Sequence, residues 1–319
     1  MIDYSALRIP GFTQGASEAL VMTFGFLTFF TLLFWGWGFL RPQDNIQNLK
    51  SRTKSWWVIV LIYGIMMGIK KEVSFVGLAM ISFISLRELI SKLNINNNVR
   101  RVMFWAYIAV PIQFYLAYRG NFQAFLLFIP VGMLFILPFR TIIEGVSDDS
   151  IKTFSQLHWA LMITVFTLSH IAFFISLPEI PNFEAGYQGI VYFLIFLTQI
   201  NDIFQFISGK LFGKKKITPT ISPNKTWGGF IGGLILTTLM GYHLSYLVPL
   251  TKIQATIAAT VIAVSGFFGD LNMSAVKRDL KVKDMSNLIP GHGGILDRLD
   301  SLIFSSISFF YLLYFWVYS

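Results

Sequence analysis

The stretch SAVKRDLKVKDMSNLIPGHGGILDRLD, from Ser274 to Asp300, decides how this sequence must fold. It mixes Lys, Arg, Asp, His and Gly, and it lies between two long apolar runs. Over all 319 residues, 55% are hydrophobic and only 13% are charged, whereas about a quarter of a soluble domain is charged. We therefore infer a protein that lies in a membrane, with this charged stretch outside the lipid.

Working outward from this stretch, the sequence contains ten apolar runs. A helix of about 17 to 25 apolar residues crosses a bilayer, which predicts an all-α, polytopic transmembrane helical bundle of about ten spans. The second and third runs are short, so they form either a tight helical hairpin or a re-entrant pair. The predicted spans are residues 18–40, 56–69, 73–86, 102–118, 122–139, 157–177, 188–207, 229–249, 253–272 and 302–318.

The Lys and Arg residues are divided unequally between the two sides of this bundle. When the loops are assigned alternately, twenty of the 25 Lys and Arg residues lie on one side. The side rich in Lys and Arg is normally cytoplasmic. We therefore expect both termini outside and an integral protein of a bacterial cytoplasmic (inner) membrane. Membrane orientation accounts for the net charge of +9, so we expect no nucleic acid as a partner.

Two acidic residues interrupt or end predicted spans. Asp202 lies in LTQINDIFQFISG (Leu197–Gly209), and Asp270 closes the ninth span. Ionisable residues within spans are costly and are candidates for function. The alternative is that each carboxylate is simply solvated at the cytoplasmic end of its helix.

Spacing strengthens the functional interpretation of Asp270. If its helix continues, Asp270, Ser274, Lys277 and Lys281 fall on one stripe, with Arg278 beside it. Such a face suits a magnesium-bound polyphosphate, because Mg²⁺ takes carboxylate and phosphate oxygens while Lys and Arg neutralise phosphate charge.

The segment LIPGHGGILDRLD predicts a glycine turn followed by a helix. Backbone N–H groups at Gly293 and Gly294 can approach a phosphate closely. Asp297 and Asp300 then share one helix face, and Asp297 could meet Asp270 across two helices to share a metal ion. The alternative is a surface turn in which the Asp residues favour the helix start.

A second candidate phosphate-binding element is SPNKTWGG, just before a span. Ser222, Lys225 and Thr226 bring hydroxyls and a cation to a helix start, which favours phosphate binding. The neighbouring Lys run at 214–216 is equally explained by anchoring on the cytoplasmic side.

Together these residues resemble the phosphatidate cytidylyltransferase family, the CDP-diacylglycerol synthases. The family pattern S-x-x-K-R-x4-K-D, then P-x-H-G-G-x-x-D-R-x-D, is matched by Ser274, Lys277, Arg278, Lys283, Asp284, Pro290, His292, Gly293, Gly294, Asp297, Arg298 and Asp300. The family also carries an Asp in a preceding span, a G-x-x-x-G-K element and an S-P-x-K-T-W-E-G element. These are matched in order by Asp202, Gly209, Gly213, Lys214, Ser222, Pro223, Lys225, Thr226 and Trp227. The resemblance covers residues 201–300, and it departs at Gly228, where the family usually has Glu.

The resemblance implies transfer of CMP from CTP to phosphatidate, giving CDP-diacylglycerol and pyrophosphate. It implies Mg²⁺ on Asp270 and Asp297. We expect catalytic roles for these two and for Lys277, Arg278 and His292. The expected substrate-binding residues are Asp202, Ser222, Lys225, Thr226, Ser274, Lys283, Asp284, Gly293, Gly294, Arg298 and Asp300. The expected partners are CTP, phosphatidate or a similar lipid phosphate, and the bilayer; a homodimer stays open.

We predict one integral membrane domain over 1–319, with a divergent helical half at 1–190 and a catalytic half at 191–319. Two enzymatic alternatives are a CTP-dependent lipid kinase and a cytidylyltransferase acting on another lipid phosphate. A transporter with ion sites at Asp202 and Asp270 is disfavoured, because the charge is concentrated on one face of the membrane.

Overall fold

The computed structural model describes residues 8–40, 44–93, 100–145, 150–288 and 293–319, and most of them are helical. The one sheet in these ranges is a small antiparallel hairpin, which the sequence did not predict. The elements are α1 (Gln14–Leu40), α2 (Asp44–Gly68), α3 (Lys71–Ile90), α4 (Arg100–Tyr118), α5 (Phe122–Leu127), α6 (Leu134–Ile143), α7 (Ser150–Leu161), α8 (Thr167–Ser176), α9 (Gly186–Phe212), β1 (Lys216–Thr218), β2 (Ser222–Thr226), α10 (Trp227–His243), α11 (Lys252–Asp279) and α12 (Leu296–Val317).

The apolar helices confirm an integral membrane protein. Within the described ranges, seven helical segments are long and apolar enough to cross a bilayer: Gln14–Leu33, Lys71–Ile90, Phe122–Ile143, Ser150–Ser176, Gly186–Phe212, Lys252–Asp279 and Leu296–Val317. A shorter apolar helix covers Trp56–Gly68. The total of ten spans and the outside position of both termini stay predictions.

Two pairs of the shorter helices are continuous rods joined by π-helical turns. The turn at Phe128–Met133 joins α5 to α6 and contains Pro130. Proline has no N–H to donate, and a π-turn lets a helix continue past such an interruption. The turn at Met162–Phe166 joins α7 to α8 in the same way.

The short apolar runs near Lys70 fold as two helices joined by a tight turn. Helix α2 ends at Gly68 and α3 begins at Lys71. The Ser74 hydroxyl of α3 donates to the Met66 carbonyl of α2 at 2.6 Å. This bond fixes the turn, because a polar group inside a bilayer is stabilised by a partner within the protein.

Helices α9 to α12 pack against one another and are joined by buried polar contacts. The Asn201 amide of α9 donates to Ala263 O of α11 at 3.2 Å and accepts from the Thr237 hydroxyl of α10 at 3.1 Å. The Thr198 and Ser305 hydroxyls join α9 to α12 at 2.9 Å. Such interhelical bonds fix the relative positions of helices in lipid.

Chain connectivity brings the polar ends of these four helices together. The hairpin joins the end of α9 to the start of α10, and the charged segment joins the end of α11 to the start of α12. Helix α12 also packs against α8 and α3. Helix α12 therefore also contacts the first half of the chain.

Candidate active site

Helix α11 carries the first group of predicted residues, and it continues past Asp270 as the spacing predicts. The Ser274 hydroxyl donates to Asp270 Oδ1 at 3.3 Å, one turn along the same face. Lys277 follows on this face within α11.

The prediction that Lys281 extends this helical stripe is wrong. Helix α11 ends at Asp279, and Lys281 has a φ of 54°, in the left-handed region. The N–H of Val282 donates to Lys277 O at 2.9 Å, which closes the helix in a Schellman-type turn. This turn directs the chain away from the α11 face.

The hairpin contributes a cation to Asp270. Lys225 Nζ, from β2, lies 2.6 Å from Asp270 Oδ2 and 4.5 Å from the centroid of the Phe267 ring. The Lys225 side chain is 14% exposed and the Asp270 side chain is 27% exposed. Because a partly buried ion pair is screened less than an exposed one, Lys225 is well placed to neutralise charge at Asp270.

Other hairpin residues chiefly shape the start of α10. The Thr226 hydroxyl accepts the Gly229 N–H at 3.1 Å and so caps the helix. A Cβ on Gly213 would lie 2.3 Å from Thr226 Oγ1, so a glycine there gives the cap the space that it needs. Ser222 begins β2, where it pairs with Thr218 and is half-buried.

Two further carboxylates lie near Asp270. Asp270 interacts electrostatically with Asp202 of α9 and with Asp300 of α12, and Asp202 interacts in the same way with Asp300. Both Asp202 oxygens accept from the Ser301 hydroxyl, at 3.0 and 3.2 Å. The structure therefore brings three of the predicted acidic residues together from three helices.

Asp297 has a different environment, made mostly of backbone. Its Oδ2 accepts the N–H groups of Met285 at 2.7 Å and Gly294 at 2.8 Å. Its Oδ1 lies 3.2 Å from Lys277 Nζ, which is also 3.9 Å from Asp300 Oδ2. Since each carboxylate oxygen accepts about two bonds, Oδ1 retains the free capacity for a further ligand.

The remaining predicted residues lie around this centre. Arg278 Nε donates to Ile221 O at 3.3 Å, which joins α11 to the hairpin turn. Arg298 is exposed, and its charge acts on Asp202.

The segment after α11 is more open. Lys283 and Asp284 are exposed, and a Cβ on Gly293, which has a φ of 80°, would lie 3.2 Å from Asp284 Cβ. The predicted role of His292 falls outside the described residues.

Gly228, the departure from the family pattern, fits where a larger residue would not. A Cβ at this position would lie 2.5 Å from the Phe212 carbonyl oxygen and 3.1 Å from Gly213 N. The start of α10 therefore presses directly against the end of α9. With this backbone, the usual Glu has no room at position 228.

Glu88, on α3, is a site residue that the sequence did not predict. Glu88 is 6% exposed and contacts the segment that precedes α12, more than 190 positions along the chain. The available signal was a carboxylate within SFISLRELI, at the end of an apolar run. The predicted span ends at residue 86, which leaves Glu88 in a loop, whereas α3 continues to Ile90.

The donors at this end of the bundle are of the type that Mg²⁺ uses. Carboxylates from α9, α11 and α12 converge there, although no three of the described His, Asp and Glu side chains form a complete metal cage. Mg²⁺ is usually held by one or two carboxylates together with substrate phosphates. The residues therefore fit a magnesium–nucleotide complex better than an isolated metal centre.

Comparison with known proteins gives a family match over most of the chain. The model of the cytidylyltransferase family matches residues 50–316. The chain is 37% identical over 273 residues to the uncharacterized protein YnbB of Escherichia coli (strain K12), covering 85% of this chain and 89% of the relative.

Proteins named phosphatidate cytidylyltransferase match over a shorter region. The protein from Mycobacterium leprae is 37% identical over 45% of this chain and 46% of its own length. That from Bacillus subtilis is 32% identical over 50% of this chain and 60% of its own length. The chain thus spans only about half of these named relatives, whereas it spans nearly all of the uncharacterized one.

Proposed function

This chain belongs to the cytidylyltransferase family and is an enzyme of the nucleotidyltransferase class, and on that premise we propose that it transfers CMP from CTP to phosphatidate. The products are CDP-diacylglycerol and pyrophosphate. The observation that carries the proposal is the mixed charge at one end of helices α9 to α12. Lys225 and Lys277 there lie against Asp270, Asp297 and Asp300.

In the proposed reaction, an oxygen of the lipid phosphate attacks the α-phosphorus of CTP. The new O–P bond forms as the bond from the α-phosphorus to the β-phosphate oxygen breaks, and pyrophosphate leaves with that electron pair. A phosphate monoester is largely ionised near neutral pH, since its second pKa is about 6. No strong general base is required, so catalysis consists mainly of positioning and charge neutralisation.

The cations divide between the nucleotide and the lipid. Lys225, Lys277 and Arg278 neutralise the charge that develops on the leaving pyrophosphate. Arg298, which is exposed at the start of α12, either holds the lipid phosphate or pairs with Asp300. His292 serves either as a hydrogen-bond donor to a phosphate or as a proton relay.

Asp270 and Asp297 are the proposed ligands of Mg²⁺, which supplies positive charge to the triphosphate when bound. Asp270 has side-chain partners that rotate away readily, and Asp297 keeps capacity at Oδ1. Gly294 is less suited to the predicted phosphate contact, because its N–H already donates to Asp297.

The proposed site faces the cytoplasm, where CTP is available, and opens sideways to lipid. The excess of Lys and Arg on the loops at this end supports that orientation. The proposed membrane is the bacterial cytoplasmic membrane.

The test uses purified protein with phosphatidate, MgCl₂ and CTP labelled at either the α- or the γ-phosphate. Label from the α-position should enter a lipid that runs as CDP-diacylglycerol, with release of unlabelled pyrophosphate. Label from the γ-position in the lipid would identify a lipid kinase and contradict the proposal. Protein carrying Asp270→Asn, purified identically, controls for contaminating enzymes.

A panel of other lipid phosphates tests the acceptor. The relative that matches over most of its length, YnbB of Escherichia coli, has no named substrate. In addition, the backbone at Gly228 leaves no room for the Glu of the usual family pattern. Cytidylyl transfer to another lipid phosphate, with none to phosphatidate, would support the proposed reaction type but contradict phosphatidate as the acceptor.

A further inference from the structure

Helix α12, which carries Asp297 and Asp300, begins without a cap from its own N-cap residue, Ile295. The first N–H groups of a helix have no partner inside the helix, so they need an acceptor elsewhere. Here the acceptor is Glu88 of α3. Its Oε1 accepts the Ile295 N–H at 3.0 Å, and its Oε2 accepts the Leu296 N–H at 2.9 Å.

Glu88 also holds the segment that leads into α12. The Ser286 hydroxyl donates to Glu88 Oε1 at 2.6 Å. One buried carboxylate therefore binds three donors on two stretches of the connection. A negative charge at a helix N-terminus is favourable, and bonds to a charged acceptor are stronger than those between neutral groups.

The shape of the connection is matched to this carboxylate. A Cβ on Gly294 would lie 2.4 Å from Glu88 Oε2, so a side chain there would displace it. Glycine at position 294 thus allows the backbone to approach Glu88 closely.

Two carboxylates from distant parts of the chain share consecutive N–H groups. The Gly294 N–H donates to Asp297, and the next two N–H groups, of Ile295 and Leu296, donate to Glu88. Glu88 therefore holds the same turn that Asp297 holds. Displacement of this turn would displace the Lys277 partners Asp297 and Asp300.

We propose that Glu88 is a positioning residue that couples the first half of the chain to the catalytic carboxylates by capping α12. This inference rests on the proposed function for its kinetic part only. It gives α3, which the family match includes, a role in the reaction without contact with substrate.

The principal variant is Glu88→Gln, which keeps the side-chain volume but replaces one acceptor oxygen with an NH₂ group. Glu72→Gln is the matched control, because Glu72 is on the same helix and is exposed. Ser286→Ala removes only one of the three donors, so its effect should be smaller. Glu88→Ala is a more disruptive variant. If Glu88→Ala does not fold, Glu88→Gln still tests the proposal.

Amide hydrogen exchange measures the cap itself. The Ile295 and Leu296 amides should exchange about tenfold faster in Glu88→Gln and at the wild-type rate in Glu72→Gln. Unchanged exchange in Glu88→Gln would overturn the proposal.

Kinetics separate positioning from simple anchoring. Small displacements of catalytic groups cost up to about a hundredfold in rate, so kcat should fall about tenfold to a hundredfold in Glu88→Gln while KM for CTP stays close to wild type. Faster exchange with an unchanged kcat would reduce Glu88 to a structural anchor and contradict positioning. If the wild-type protein transfers no CMP, the proposed function fails, and the exchange result still decides whether Glu88 holds α12.

Discussion

Two groups of carboxylates meet at the charged end of the bundle, and they differ in what they bind. Asp202 and Asp270 are bound by side chains, namely the Ser301 hydroxyl, the Ser274 hydroxyl and the Lys225 ammonium. Asp297 and Glu88 instead accept backbone N–H groups of the segment before α12.

This difference separates carboxylates that are available to a ligand from carboxylates that hold the protein together. A lysine or serine side chain releases a carboxylate by rotating, whereas a backbone N–H releases it only if the chain moves. Asp270 is therefore the stronger candidate for a group that exchanges a protein partner for a magnesium–nucleotide complex. Asp297 has a dual character, because it binds Lys277 as well as two backbone amides.

The largest effect is expected for Asp270→Asn, which removes the charge at the centre of the first group. CMP transfer should fall at least about a hundredfold, as for other preorganised electrostatic groups, while expression and membrane insertion persist. Asp279→Asn is the control, because Asp279 is exposed at the end of the same helix. Near-wild-type turnover in Asp270→Asn would show that Asp270 has no role in CMP transfer.

An intermediate effect is expected for Lys225→Met, which keeps the stem of the side chain and deletes its charge. An interaction with a charged group is worth about 1.5–3 kcal/mol, so initial rates should fall about tenfold to a hundredfold. Lys215→Met, at an exposed position before the hairpin, should leave the rate unchanged. Equal rates for the two variants would show that the 2.6 Å contact with Asp270 has no role in turnover.

The smallest effect concerns stability rather than catalysis. Gly228→Ala places a Cβ against the Phe212 carbonyl, and overpacking of this kind costs about 1–3 kcal/mol. The apparent Tm in detergent should fall by a few degrees. At Gly64 a Cβ meets nothing within 4 Å, so Gly64→Ala should not lower Tm. A stable Gly228→Ala protein would mean that the ends of α9 and α10 separate easily.

The sequence predicted those features that depend on local spacing. The face shared by Asp270, Ser274 and Lys277 follows from helical periodicity, and the helix after the glycines follows from the end of the turn. Lys281 was placed wrongly, because its left-handed φ ends the helix where glycine is the usual residue.

Features that depend on contacts between distant residues were not predictable. Glu88 and Leu296 are 208 positions apart, and no periodicity in either segment indicates that they meet. The β-hairpin was hidden because KITPTISPNKT has no alternating apolar pattern. The close contact at Gly228 likewise depends on the packing of α9 against α10.

The most direct test of the distinction between the two groups is amide exchange at Met285 and Gly294 in wild-type, Asp297→Asn and Asp270→Asn proteins. Both amides donate to Asp297, so Asp297→Asn should accelerate their exchange about tenfold. Asp270→Asn should leave their exchange at the wild-type rate while CMP transfer falls at least about a hundredfold. Equal acceleration in both variants, or in neither, would contradict the division into ligand-binding and backbone-holding carboxylates.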